Sequence, residues 1–465
     1  MDHGRRRRGA IRLLLCACLT VIVTLPGIPP AGARPGRPDI VLVVLDDERV
    51  GTLHWMPTVM KQIVRKGKVF RNALIPTSTC CPSRASVLTG LYAHDTGVWS
   101  NGRGWNRFVD AGMEDRTVAV WLRTAGYRTG LIGKYLNAYG GTLAPPGWAF
   151  WRAFQGTNGA YYDYRLRHGD GSFTDHGSDP SDYSTDVLRR LSLRYIRDTP
   201  STKPFFLYLA PFAPHYPWTP APRHRDLPAL VGRFNPPSLN EENVSDKPPW
   251  IRRLPFVDES HINKSRVGQY RSLRAADDAL HAIMELQRRR SRLRNTLFII
   301  MSDNGDMWGE HRVRGKFVPY ASATRVPLAI RWLGHVPQGV VDGRLALNLD
   351  VPATIAAVAG ASHGAIDGMS LLSSSRRGGS VIEAGEAVKG GSNGTNVFRP
   401  AYCGWRTRRY LFVRYANGSS ELYDYARDPY ELRNRARAVS YRDVKTRLRL
   451  RAQANCQPPP PGFSW

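Results

Sequence analysis

Asp39-Ile40-Val41-Leu42-Val43-Val44-Leu45, preceded by Pro38 and closed by Asp46-Asp47-Glu48, decides the fold. The apolar run does not alternate, so both of its faces must be covered. That is the pattern of an interior strand in a parallel sheet, not of a half-solvated antiparallel one. Ligands of such sheets bind beyond the carboxyl ends of the strands, which is where Asp46 and Asp47 stand.

Moving outward, short β-rich runs recur at Tyr127–Ile132, Pro204–Ala210, Asn295–Met301 and Val326–Trp332. Helical patterns lie between them at Thr58–Lys66, Asp115–Thr124, Tyr183–Arg197, Ser265–Arg288 and Val351–Ala359. Strands alternating with helices predict an α/β fold, a large and mostly parallel sheet flanked by helices. Ser302-Asp303-Asn304-Gly305 ends another of the strands, giving a second oxygen-rich cluster in an equivalent place. Ser373–Gly394 is rich in Ser and Gly and reads as a linker or loop. Beyond it, Ala401–Tyr425 carries a hairpin signal at Asn417-Gly418, followed by a helix near Tyr441–Gln453. This predicts a smaller antiparallel α+β subdomain over 395–465, after a catalytic domain over 34–372.

Composition bounds the rest. With 465 residues and 42% hydrophobic content, the chain can bury a large core. Residues 1–33 have a basic start (Arg5 to Arg8), an apolar stretch and a small-x-small site at Ala31-Gly32-Ala33, the layout of a signal peptide. The expectation is a secreted or extracytoplasmic protein. A membrane contact enters only if that segment is retained as an anchor. The net charge is +28, and +24 without the five arginines and one aspartate of residues 1–33. Such a charge suits an anionic partner, an acidic polysaccharide or simply a solvated Arg-rich surface. No zinc-ligand spacing, RNA-binding aromatic signature or helix-turn-helix pattern supports nucleic acid. Four cysteines lie outside the leader. Cys403 and Cys456 suit a bridge in an oxidising compartment, whereas the adjacent Cys80 and Cys81 do not suit one with each other.

Those adjacent cysteines open Thr79-Cys80-Cys81-Pro82-Ser83-Arg84-Ala85-Ser86-Val87-Leu88-Thr89-Gly90. Pro82 suits the first turn of a helix, which sets Cys80 at a helix N-terminus where anions are favoured. C-x-P-S-R followed by L-T-G resembles the signature of the formylglycine-dependent sulfatases, a family of alkaline-phosphatase-like fold. The resemblance runs from Asp39 to about Ala436. It includes Gly133-Lys134-Tyr135-Leu136-Asn137, Ala213-Pro214-His215, Arg314-Gly315-Lys316 and the Glu421-Leu422-Tyr423-Asp424 to Asp428-Pro429-Tyr430-Glu431 segment. The Cys-Cys-Pro-Ser-Arg and Gly-Lys-Tyr-Leu-Asn forms are similar to N-acetylglucosamine-6-sulfatases, extracellular heparan endosulfatases and related bacterial enzymes.

The resemblance implies oxidation of Cys80 to formylglycine by a formylglycine-generating enzyme, and a metal site formed by Asp46, Asp47, residue 80, Asp303 and Asn304. An all-oxygen set suits Ca²⁺ before Mg²⁺. Arg84, Lys134, His215 and Lys316 are the implied catalytic partners of Cys80. Many relatives carry a histidine where this chain has Leu136, and Asn137 is the candidate substitute. His311, Asn101, Trp105 and Trp218 are weaker candidates for substrate contact. The implied reaction is hydrolysis of a sulfate ester on a small molecule or glycan. A phosphonate monoester hydrolase is the competing reading, and a non-catalytic binder of sulfated polymers is the third. Oligomeric state is not legible in the sequence.

Overall fold

A computed structural model of the protein describes residues 1, 36–156, 159–386 and 399–465. The leader expected at 1–33 lies almost wholly outside the described residues. Strands are β1 (Asp39–Leu45), β2 (Lys68–Leu74), β3 (Arg128–Gly133), β4 (Phe150–Gln155), β5 (Tyr164–His168), β6 (Phe173–His176), β7 (Phe205–Ala210) and β8 (Thr296–Ser302). They continue with β9 (Met307–Trp308), β10 (Arg314–Gly315), β11 (Leu328–Arg331), β12 (Val340–Leu347), β13 (Ser380–Ala384), β14 (Tyr402–Arg406), β15 (Tyr410–Tyr415) and β16 (Ser420–Asp424). Helices are α1 (Cys80–Thr89), α2 (Ala93–Thr96), α3 (Gly104–Asp110), α4 (Val118–Thr124), α5 (Ser184–Arg197) and α6 (Pro249–Arg252). The last four are α7 (Glu259–Arg289), α8 (Ala321–Thr324), α9 (Asp350–Ala359) and α10 (Arg442–Asn455).

Ten strands form one sheet in the order β12-β2-β11-β8-β1-β7-β3-β4-β5-β6. The central run from β8 to β4 is parallel throughout. The expected double burial of β1 is met by its alternating side chains. Ile40, Leu42 and Val44 pack in one core with Ala85 and Leu88 of α1 and Ile355 of α9. Val41, Val43 and Leu45 pack in a second core with Leu188 of α5 and Leu273 and Ile283 of α7. Each such side chain contributes about 1.5–3 kcal/mol by leaving water.

Several elements differ from expectation. Thr58–Lys66 shortens to a π-helical turn over Val59–Val64. The Asp277 carboxylate accepts the N–H groups of Thr58 and Val59 and sets where that turn starts. The helix expected over Asp115–Thr124 is broken at Thr117, which is extended, so α4 starts at Val118. β2, β5, β6 and β12 mix charged and polar residues into their runs and form by pairing. β4, Phe-Trp-Arg-Ala-Phe-Gln, is mostly apolar but is likewise absent from the expected strands, and it is placed by its pairing with β3. Within the stretch read as a linker or loop, Ser380–Ala384 is a fully buried strand. It begins a four-stranded antiparallel sheet, β13-β14-β15-β16, ahead of the boundary expected at 395. The run Ser-Val-Ile-Glu-Ala is short and sits among Ser and Gly, so its strand character comes from pairing with β14. The small sheet is not a detached body. Ile382, Tyr402, Leu411 and Tyr423 share a core with Trp250, Ile251, Val313 and Tyr320. Cys403 and Cys456 are disulfide-bonded, tying β14 to the end of α10.

One glycine carries a positional demand. Gly133 closes β3 with φ +114°, opposite Ala210 of β7, and the next N–H, of Lys134, donates to the Ala210 carbonyl at 2.8 Å. A Cβ there would run into that carbonyl. Gly133→Ala is expected to cost about 2–5 kcal/mol in urea unfolding, combining a disfavoured φ with overpacking.

Candidate active site

Strand order assembles the site. β8, β1, β7 and β3 are consecutive and parallel, so their carboxyl ends lie side by side. Leu45 of β1 is in register with Ser302 of β8, which brings Asp46-Asp47 against Asp303-Asn304. The loop after β7 supplies His215 and anchors to β1 through the Asp46 N–H to the Ala213 carbonyl at 3.2 Å. The end of β3 supplies Lys134. Helix α1 adds Cys80 and, one turn in, Arg84. Lys316 follows β10, and the neighbouring Phe317 N–H donates to the Ser78 carbonyl at 3.0 Å, fastening that loop to the start of α1.

The result is a fully buried polar cluster. Arg84 Nε donates to Asp303 Oδ2 at 2.8 Å and Nη1 to the Lys134 carbonyl at 3.0 Å, with Nη2 3.8 Å from Asp46. Lys134 Nζ lies 2.6 Å from Asp46 Oδ2. Lys316 Nζ pairs with Asp47 and lies 2.7 Å from Cys80 Sγ. The sulfur is 3.7 Å from Asp46 Oδ1 and 3.9 Å from Asp47 Oδ1. His215 Nδ1 is 2.7 Å from the Tyr216 carbonyl, and Nε2 is 3.5 Å from Asp47 Oδ2. Nδ1 carries a proton and donates it to that carbonyl, so a neutral ring turns its Nε2 lone pair to the site.

Burial and charge act against each other here. Burial opposes ionisation of Asp46 and Asp47, yet the surrounding cations hold both below the usual carboxylate range, Lys134 leading for Asp46 and Lys316 for Asp47. At Asp303 burial prevails over Arg84 and the pKa is raised. Burial lowers the pKa of His215 in spite of Asp47 and Asp46. It pushes the Cys80 thiol up to about 12, against Lys134 and Lys316. An unmodified Cys80 is therefore a neutral thiol at physiological pH and a poor nucleophile.

The cluster fits a divalent cation. Ligand atoms of Asp46, Asp47, Cys80 and Asp303 lie within 4.8 Å of one another. Asp47 Oδ2 and Asn304 Oδ1 are buried with no hydrogen-bond partner among the described residues, oxygens that an ion would satisfy. Asn304 Nδ2 donates to Asp47 Oδ1 at 2.7 Å.

The weaker candidates divide. Asn101 Oδ1 accepts the Cys81 N–H at 2.9 Å, capping α1 from a separate loop where Thr79 makes no side-chain cap of its own. Asn137 is buried, its Oδ1 has no hydrogen-bond partner among the described residues, and its carbonyl accepts the Trp105 N–H at 3.0 Å. Trp105 itself donates from Nε1 to Glu114 at 3.1 Å. His311 is turned to Glu241, Nδ1 to Oε2 at 2.6 Å, and packs on Tyr320. It belongs to the support beneath the Lys316 loop. Trp218 is buried behind Tyr216. Cys81 is a buried free thiol against Gly104. Sequence reading missed Asn348, whose amide holds Ser83 of α1 at 3.0 Å. It also missed Asp306, buried against Gln269 and Trp308. Asp306 was within reach as the third carboxylate-side position of the Asp303-Asn304 run; Asn348 had no local signal.

A sheet of this order with this cluster at its carboxyl edge defines an α/β protein whose buried polar site sits at the strand ends, where such folds bind ligands. A family model described as Sulfatase matches residues 38–361, and one described as N-sulphoglucosamine sulphohydrolase, C-terminal, matches 309–457. The chain belongs to the sulfatase family. It is 32% identical over 400 residues to human N-acetylglucosamine-6-sulfatase, covering 79% of this chain and 70% of that protein. It is 33% identical over 355 residues to the extracellular sulfatase SULF-1 homolog of Drosophila melanogaster, covering 73% of this chain and 31% of the relative. The chain thus spans about a third of the fly protein, and 48% of a Caenorhabditis elegans counterpart. Among solved structures, one in complex with its substrate D-glucosamine-2-N,6-O-disulfate aligns with TM-score 0.77 at 20% identity, over 90% of this chain and 97% of that one. A phosphonate monoester hydrolase from Silicibacter pomeroyi aligns with TM-score 0.71 at 21% identity, over 90% and 94%. These two likenesses speak to fold alone.

Arg84 is the residue on which the charge balance turns. Arg84→Met is expected to cost about 3–5 kcal/mol in urea unfolding, because it leaves Asp303 and Asp46 buried without their guanidinium.

Proposed function

We propose that the protein hydrolyses sulfate esters, using residue 80 as formylglycine and a calcium ion held by Asp46, Asp47, Asp303 and Asn304. The observation that carries this reading is the position of Cys80. It stands at the start of α1 amid three carboxylates, with the Lys316 ammonium 2.7 Å from its sulfur.

Hydrated formylglycine supplies one hydroxyl to attack sulfur and a second whose deprotonation later expels sulfate, which splits one hard displacement into two steps. The cation supplies polarisation of a sulfate oxygen and a lowered hydroxyl pKa, and with residue 80 bearing oxygen the donors become the all-oxygen set of a hard ion. The chain's own residues do the rest. Lys134 and Lys316, both directed at the cluster, hold the remaining sulfate oxygens. Arg84 keeps Asp303 and Asp46 in place. Asp303 stands as proton acceptor. Lys316, an ammonium directed at the cluster, is the group positioned to pass a proton to the departing alcohol. His215, whose Nε2 faces the site as a lone pair, could do so only after first taking up a proton there.

Maturation would require a formylglycine-generating enzyme, and the substrate class would be a sulfated small molecule or glycan. An extracytoplasmic location agrees with the leader-like residues 1–33 and with the Cys403–Cys456 disulfide. Among the described residues no helix is long and apolar enough to cross a membrane.

Peptide mass spectrometry should find residue 80 lighter than cysteine by about 18 Da, as conversion of the thiol to an aldehyde requires. Cys80→Ala should lower 4-nitrophenyl sulfate turnover by on the order of a thousandfold or more. Faster turnover of a 4-nitrophenyl phosphonate ester by the modified enzyme would overturn the sulfate assignment. For the metal, chelation is expected to lower Tm and Ca²⁺ to restore it, with about 2.7 kcal/mol regained at a hundred times Kd. Asp303→Asn should weaken that response; an unchanged Tm on Ca²⁺ addition to the chelated protein would remove the calcium assignment.

A further inference from the structure

A cavity of about 410 Å³ opens beside His215. Two loops form it. Tyr161 and Tyr162 precede β5, while Phe212, His215, Tyr216 and Thr219 follow β7. It adjoins the buried cluster: Phe212 packs on His215 with ring centroids 4.6 Å apart, and Lys134 Nζ lies 6.0 Å from the Phe212 centroid. The walls are braced from behind. The Tyr161 hydroxyl donates to the His215 carbonyl at 2.8 Å, and the Tyr183 hydroxyl to the Thr219 carbonyl at 2.9 Å. Tyr162 is half-buried, and Tyr216 is 39% exposed at the rim. The volume is at the small end of the range of about 300–1,000 Å³ for small-molecule pockets, enough for one or two rings.

The lining is as informative as the size. Among the described residues no Lys, Arg, Asp or Glu lines the cavity. Its chemistry is aromatic rings, with tyrosine hydroxyls and one threonine for hydrogen bonding. A ring that entered with a further sulfate or carboxylate would find no cation in the lining itself, since Lys134 stands behind Phe212 and Arg225 acts on Tyr162 from outside. It would be held less well than an uncharged ring.

We infer that this cavity receives the alcohol half of the ester as an uncharged ring, and that Tyr162 and Tyr216 are specificity-determining contacts to it. The inference rests on the proposed hydrolysis of sulfate esters. It assigns the sulfate group to Lys134 and Lys316 and the ring to the tyrosines, with His215 between them at the ester oxygen. An aryl ring or the apolar face of a hexosamine meets the walls equally well.

The test compares N-acetylglucosamine-6-sulfate, D-glucosamine-2-N,6-O-disulfate and 4-nitrophenyl sulfate on the modified enzyme. The expected kcat/KM is about tenfold or more lower for the disulfate than for the monosulfate. Tyr162→Ala and Tyr216→Ala should each raise KM about three- to tenfold, with a smaller change in kcat, and the Phe variants should restore most of it. Calorimetric titration of 4-nitrophenyl sulfate into Cys80→Ala protein, with and without Tyr216→Ala, reads the cavity without turnover. Equal kcat/KM for the two hexosamine sulfates, or unchanged KM and affinity in the Ala variants, overturns the inference. If the formylglycine-bearing enzyme hydrolyses no sulfate ester while Cys80→Ala still binds one in a Tyr216-dependent way, the hydrolysis reading falls and the cavity assignment stands.

Discussion

The parallel register between β1 and β8 is the constraint from which the site follows. Pairing Leu45 with Ser302 sets Asp46, Asp47, Asp303 and Asn304 in one place, with the Asp47 N–H donating to Asp303 Oδ1 at 3.1 Å and the Glu48 N–H to Ser302 Oγ at 2.7 Å. A slip of one residue would turn every side chain of β1 to the opposite core, so the register is held by burial on both faces. Asp47 takes φ 66° at the strand end, the backbone reversal that folds its carboxylate back over the sheet edge.

Gathering three carboxylates in a buried space costs free energy unless opposite charge comes with them. Arg84, Lys134 and Lys316 are that charge, and each arrives from a different part of the chain: a helix, a strand end and a long loop. In the proposed reaction, two of the cations that offset the acids, Lys134 and Lys316, would also hold the anionic substrate group, so one arrangement would serve both stability and binding. A buried thiol gains little from it. Burial raises the pKa of the Cys80 thiol against the pull of Lys134 and Lys316, and in the proposed reaction the residue acts after oxidation to formylglycine.

The C-terminal sheet bears on the same cluster through the Lys316 loop. Tyr320, just past Lys316, donates to Glu421 of β16 at 2.8 Å, and Tyr423 donates to the same carboxylate at 2.5 Å. Glu431 accepts the Ala321 N–H at 3.1 Å. On the other side His311 is held by Glu241, which also pairs with Lys247 at 3.2 Å. The small sheet is thus a buttress for the loop that carries Lys316. The family match over 309–457 crosses the same junction, which agrees with that continuity.

Much of this was legible from local sequence. An unbroken apolar run, acids at its end and Pro82 two residues after Cys80 each express their structure within a few residues, because burial on two faces, strand-end position and helix start are short-range consequences of side-chain chemistry. β5 and β6 were not legible, since Tyr164–His168 and Phe173–His176 are polar and take strand form only from their partners. β13 hid among Ser and Gly for the same reason. The parts of the site that resisted reading share one property: their roles are set by what lies across from them. Asn101 caps a helix twenty positions away, His311 faces Glu241 and not the acids, and the aromatic cavity is closed by two loops some fifty residues apart. The sequence alone determined which residues carry charge and reactive chemistry. Only the tertiary structure decided which of them meet, because contacts between distant segments depend on strand order, which no local pattern encodes.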